Sequence, residues 1–131
     1  MKLIKVKIEA SDDFFWAYGE NVSKIYAGGE TIAEVKRSVF ECIEIVQSFD
    51  DSNVPSALKG EYEIVWRFDL PSILGYYLNI FNSHGFARLI GIKEHTLLNY
   101  VLGLKKPRYA QVKKIESALH RLASDLLAIE L

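Results

Sequence analysis

One cysteine, Cys42, stands among 131 residues, so an internal disulfide is excluded. That usage favours a reducing, cytoplasmic setting. No apolar run approaches the ~18 residues that a membrane span needs. The opening Met1-Lys2-Leu3-Ile4-Lys5-Val6-Lys7 alternates charge with apolar residues and does not read as a signal peptide. There is no internal repeat and no low-complexity tract. His84, His95 and His120 lack the spacing of metal ligands, and no Gly-rich phosphate loop occurs. No metal and no cofactor are therefore expected. A two-metal nuclease site needs several convergent carboxylates. Only Asp12 and Asp13 stand near the start of the chain's first strands, in a turn where acids are ordinary. Cys42 falls on an apolar helix face and reads as an inert core thiol. The chain is not expected to be an enzyme.

What is there is a globular composition, 50% hydrophobic and 25% charged, long enough for one ordinary domain or two small ones. The net charge of −1 hides an asymmetry. Residues 1–83 hold 8 Lys and Arg against 13 Asp and Glu, a balance of −5. Residues 84–131 hold 8 against 4, a balance of +4. An acidic front and a basic back suggest two different partners, with an uneven surface of no consequence as the plain alternative.

In residues 2–9, Ile4, Val6 and Ile8 alternate with Lys5, Lys7 and Glu9, which predicts a half-buried antiparallel strand. Ser11-Asp12-Asp13 marks a turn, and residues 14–18 a second, aromatic strand. A third strand is expected over Val22 to Ala27, closed by Gly28-Gly29 as a strand-to-helix turn. Thr31-Ile32-Ala33-Glu34 is a capping box in which the Glu34 carboxylate reaches back to the Thr31 amide. The helix it opens runs to about Phe49 with Ile32, Val35, Val39, Cys42/Ile43 and Val46 as its buried stripe. A polar loop, Asp50 to Gly60, leads to a fourth strand with Tyr62, Ile64, Trp66 and Phe68 inward. One helix on so small a sheet buries a modest core, so the other sheet face, or the C-terminal half, is expected to be covered, for instance by a second copy. Asp69-Leu70-Pro71-Ser72 opens a helix with Ile73, Leu74, Tyr77, Leu78 and Phe81 on its apolar side, and Asn82-Ser83-His84-Gly85 breaks it. A last helix, about Tyr109 to Leu127, carries Val112, Ile115, Leu119, Leu122 and Leu126.

Between them lies Phe86 to Gly103. Ala87 and Gly91 are four apart, Gly91 can supply the positive φ of a tight interhelical turn, and Ile92 plugs that turn. Leu97, Tyr100 and Val101 follow at helical spacing. The segment resembles a Cro/repressor-type helix-turn-helix, and Leu102-Gly103-Leu104-Lys105-Lys106-Pro107 is similar to its usual exit. Lys93 departs from it, since Ser or Thr is the common N-cap there. The alternative is an αα-hairpin used only for packing or dimerisation. The resemblance implies that Lys93, Glu94, His95, Leu98 and Asn99 face a DNA groove as base-contact candidates, while Arg88, Lys105, Lys106 and Arg108 lie along phosphates. From Arg88 to Lys114 seven bases and one acid give +6, whose plain alternative is a solvated face.

The front half resembles the HicB antitoxin family, a truncated ribonuclease-H-like sheet. The residues that carry this are the acidic, aromatic hairpin Asp12-Asp13-Phe14-Phe15-Trp16 and the "G-x-T-x-x-E" of Gly29-Glu30-Thr31-Ile32-Ala33-Glu34. The family's "D-L-P-G-C" type segment is missing. The expected fold is α+β: a small antiparallel three- to four-stranded sheet with one packed helix over residues 1–69, then an all-α helix-turn-helix domain over 70–131. The resemblance implies an antitoxin that blocks a small HicA-type mRNA-cleaving ribonuclease toxin with its front domain. It also implies a repressor that binds operator DNA with its back domain, as a homodimer or dimer of dimers. The alternatives are a stand-alone regulator whose front domain senses a ligand or mediates oligomerisation, and a pure interaction protein. Trp16, Tyr18, Trp66 and Phe68 form either a toxin-binding patch or, as favoured, the sheet's own core. Acidic Asp12, Asp13, Glu20, Glu61 and Glu63 either steer a cationic toxin or simply keep a sheet edge soluble.

Overall fold

A computed structural model describes the whole chain, residues 1–131. It divides into two compact units, Met1–Tyr76 and Tyr77–Leu131. The first is α+β. Its elements are β1 (Lys2–Ala10), β2 (Phe15–Gly19), β3 (Tyr26–Gly29), α1 (Ile32–Gln47), β4 (Tyr62–Phe68) and α2 (Leu70–Tyr77). The four strands form one sheet in the order β3-β2-β1-β4.

The sheet is mixed, not antiparallel as expected. β1–β2 and β2–β3 are antiparallel, but β4 runs parallel to β1 with Ile4 beside Ile64 and Val6 beside Trp66. The meander leaves β3 pointing the same way as β1. A helical crossover then returns the chain so that the next strand keeps that direction. One sheet face carries Ile4, Val6, Ile8, Phe15 and Ala17, all buried, and α1 lays Val35, Val39, Ile43 and Val46 over it. Each such aliphatic side chain contributes roughly 1.5–3 kcal/mol on burial. The capping box forms with one change: the Thr31 hydroxyl accepts from the Glu34 amide at 3.0 Å, while the Glu34 carboxylate accepts from the Glu30 amide at 2.9 Å, not from Thr31.

The third strand lies later than expected, at Tyr26–Gly29. Val22 and Ile25 are buried from the preceding turn instead. Gly28 and Gly29 are strand residues, and their missing side chains admit neighbours. A Cβ on Gly28 would lie 2.6 Å from the Phe14 ring, and one on Gly29 would lie 2.6 Å from the Val35 amide nitrogen of α1. The long loop after α1 is pinned by buried Leu58, whose carbonyl accepts from the Gln47 side-chain amide at 3.0 Å. The second sheet face is bare. Leu3, Trp16, Tyr26 and Val65 on it are all exposed within the single chain.

The first unit runs to Tyr76. Helix α2 belongs with the sheet because Ile73 and Leu74 are buried, the Ser72 hydroxyl accepts from the Ala10 amide at 3.0 Å, and the Tyr76 ring packs on Phe15 at 4.7 Å.

The second unit holds α3 (Ser83–Ile90), α4 (Glu94–Val101) and α5 (Tyr109–Leu127). Asn82-Ser83-His84-Gly85 is not a break but a start: the Asn82 side chain accepts from the Gly85 amide at 2.7 Å and caps α3. Phe86, Ala87, Ile90, Leu97, Tyr100, Ile115 and Ala118 form the core. The stripe expected on α5 is buried only at Ile115. Val112, Leu119 and Leu122 are half-buried, and Leu126 is 51% exposed.

Candidate nucleic-acid interface

Helix α3 stops at Gly91, where φ is +86°. The Gly91 and Ile92 amides both donate to the Ala87 carbonyl, at 2.8 and 3.0 Å. This is a glycine-terminated helix end, with orphan carbonyls satisfied by the turn itself. From α5 the Lys114 ammonium donates to the Gly91 carbonyl at 3.0 Å, and a Cβ on Gly91 would stand 3.3 Å from the Lys114 side chain. Glycine is therefore favoured at this position by its dihedral angle, with the end of the Lys114 side chain close by. The angle between α3 and α4 is thus fixed from three sides: the buried Ala87 contact, the turn, and the last helix.

Lys93 is the N-cap of α4, extended at φ −72°, ψ 145°, and its side chain makes no capping bond. Leu97 and Tyr100 anchor α4 in the core. Lys93, Glu94, His95 and Leu98 are exposed, and Asn99 is half-buried. The structure brings all five expected base-contact residues onto one short helix. Glu94 is already engaged, however. Its carboxylate accepts from the Ser83 hydroxyl at 2.6 Å and lies 3.6 Å from His84 Nδ1. Glu94 therefore ties the start of α4 to the start of α3.

Helix α4 ends as α3 does. Gly103 has φ +73°, and the Leu104 and Lys105 amides donate to the Asn99 carbonyl at 2.9 and 3.3 Å. This aims the chain through Lys105 and Lys106 into α5. Arg88, Lys105, Lys106 and Arg108 are all exposed, and none of them is in an ion pair. An open notch of about 460 Å³ lies between Lys93, His95, Thr96 and Lys114. The contact of Lys114 with the turn depends on how α5 packs, which the basic stretch in the sequence does not reveal. The ties of Ser83 and His84 to Glu94 are likewise hidden in a segment whose residues suit a helix break.

Trp16, Tyr18, Trp66 and Phe68 neither make one patch nor form the core. Trp16 and Tyr18 stand opposite Glu9 and Lys7 on the bare sheet face, while Trp66 and Phe68 stand beside Val6 and Ile8 on the α1 face. None of the four is buried. Edge position explains Trp66 and Phe68: only Phe40, with ring centroids 6.0 Å from Trp66, and the Lys36 ammonium lean over them. The Tyr18 hydroxyl donates to Glu9 at 3.2 Å. Partial burial, then the nearby Glu9 charge, raises its pKa above the ordinary phenol range. Of the acidic set, Glu20 pairs with Arg67 at 2.9 Å, while Asp12, Asp13, Glu61 and Glu63 are exposed. Cys42 is half-buried and its thiol donates to the Lys24 carbonyl at 3.4 Å. No group of three His, Cys, Asp or Glu side chains is placed to hold a metal ion, and no helix is long and apolar enough to cross a membrane. No family model, no curated protein and no solved structure matches the chain.

Proposed function

We propose that residues 77–131 form a Cro/repressor-type helix-turn-helix that binds operator DNA, and that the sheet unit is a HicB-like antitoxin domain that binds and neutralises a small HicA-type mRNA-cleaving ribonuclease. The protein then represses its own operon and acts as a homo-oligomer. The observation that carries the DNA reading is the outward amino end of α4. Lys93, His95 and Leu98 are exposed there around an uncapped helix start, with unpaired Arg88, Lys105, Lys106 and Arg108 nearby in sequence. A helix start of this kind favours anionic phosphate, and its first turn suits base edges. The toxin reading rests on the sequence resemblance and on exposed Asp12, Asp13, Glu61 and Glu63, which suit a basic partner.

In this reading Asn99 is the adenine-reading residue, Lys93 a guanine or phosphate contact, and Leu98 a thymine-methyl contact. Glu94, held by Ser83 and His84, acts as a positioning residue for α4. A gel shift with DNA from upstream of the chain's own gene tests the repressor half. Retarded bands are expected, and their loss in Lys105→Glu/Lys106→Glu should be uniform across sequences. Asn99→Ala should instead relax discrimination at one base pair, by ~1–3 kcal/mol. Co-expression with the protein encoded beside it tests the other half. Growth arrest by that neighbour which this chain does not relieve would end the antitoxin reading.

A further inference from the structure

Strand β3 is an edge strand, and its geometry is complementary to itself. The Gly19 amide donates to the Ile25 carbonyl at 3.1 Å, and the ladder continues with Tyr18 opposite Tyr26, Ala17 opposite Ala27 and Trp16 opposite Gly28. Hydrogen-bonded and non-hydrogen-bonded pairs alternate in an antiparallel ladder. Ile25, Ala27 and Gly29 therefore turn their backbone groups toward β2. Tyr26 and Gly28 turn theirs to the free edge. The strand bears no charge and no proline, whereas the opposite edge, β4, carries Glu63 and Arg67. Charged side chains are the usual protection of an edge against pairing, and β3 lacks it.

We propose that β3 pairs antiparallel with β3 of a second copy about a two-fold axis at Ala27. That register sets Tyr26 opposite Gly28 of the second copy, and Gly28 opposite its Tyr26. Both are outward-facing residues, so all four edge amides find carbonyl partners. An axis at Tyr26 would oppose Gly28 to Lys24, which is not extended (φ +70°). An axis at Gly28 would oppose Tyr26 to Glu30, whose amide is already bonded to the Glu34 carboxylate, so the axis at Ala27 uses every free group.

The side chains agree with the backbone. Tyr26, 74% exposed, lies on the bare sheet face beside Trp16, 53% exposed. In each copy the Phe14 and Trp16 rings, with centroids 4.8 Å apart, lean over Gly28. A Tyr26 ring arriving from the second copy meets that aromatic pair where glycine leaves no side chain of its own. Aromatic residues across from edge glycines stabilise sheets in this way. The flanks match in charge as well. Lys24 precedes the strand and Glu30 follows it, so antiparallel pairing brings the cationic end of each copy to the acidic end of the other. The two sheets become one of eight strands. This surface is separate from the DNA reading and does not depend on it.

The test is backbone amide exchange on the full chain over a range of concentrations, with particle mass measured alongside. The Tyr26 and Gly28 amides should become protected as concentration rises. Tyr26→Asp, a change at an exposed side chain, should restore fast exchange at both and halve the particle mass. Fast exchange at both amides throughout, or protection that ignores concentration, overturns the proposal. So does protection that develops only when a basic partner protein is added.

Discussion

Two glycines act for different physical reasons, and they separate cleanly by substitution. Gly91→Ala should destabilise Tyr77–Leu131 by about 1–2 kcal/mol, because a side chain at φ +86° is strained and would crowd Lys114. Gly28→Ala should cost about 1–3 kcal/mol by overpacking against Phe14. Urea titration of each variant measures both. The first was legible because a glycine four residues after Ala87 between two apolar helical runs has few other readings. The second was not. Gly28-Gly29 reads as a turn because nothing in its neighbourhood announces that an aromatic ring from the adjacent strand needs its place. Tyr18 gives a pH prediction at the same scale. Its folded pKa lies above the ordinary 10.0. Its contribution to stability is therefore complete below about pH 10 and is lost as pH climbs through the raised value. Glu9→Gln should move its phenolate absorbance titration downward.

At the scale of elements, α4 starts without the side-chain bond that Ser, Thr, Asp or Asn would supply. Lys93→Ser should therefore stabilise the second unit by about 0.5–1 kcal/mol. In the repressor reading the same change should weaken DNA binding, since it removes a cation from the helix start. Thermal melts and gel shifts, expected to move in opposite senses, check this. The helices were legible because their apolar spacing is long and regular, as at Val35, Val39, Ile43 and Val46. The direction of β4 was not. Alternation over Tyr62–Phe68 is the same whether the strand runs up or down, and direction is set by the crossover. Asn82–Gly85 was misread for a related reason: residues that end one helix are also those that cap the next, and only the Asn82 hydrogen bond decides between them.

At the scale of the molecule, the sequence shows the basic stretch and the clustering of Lys93, Glu94, His95, Leu98 and Asn99 around one short helix. It does not show their ties: Lys114 to the turn and Glu94 to Ser83 depend on packing between helices. Neutralising several phosphates makes affinity fall steeply with salt. In the repressor reading the log–log slope for operator binding should therefore be shallower in Lys105→Glu/Lys106→Glu. Helix α5 ends in Leu126 and Leu127, both exposed, and in the repressor reading this end is a candidate contact between two operator-bound copies. Leu126→Glu should reduce operator affinity and particle mass together without unfolding the unit, as sedimentation and circular dichroism would report. The two tryptophans, Trp16 and Trp66, both fall within Met1–Tyr76, one bare and the other shaded by Phe40 and Lys36. Indole emission consequently watches only the sheet unit, and the helical unit is silent at that wavelength. A denaturation curve followed by fluorescence will coincide with one followed by far-ultraviolet ellipticity only if the two halves come apart together.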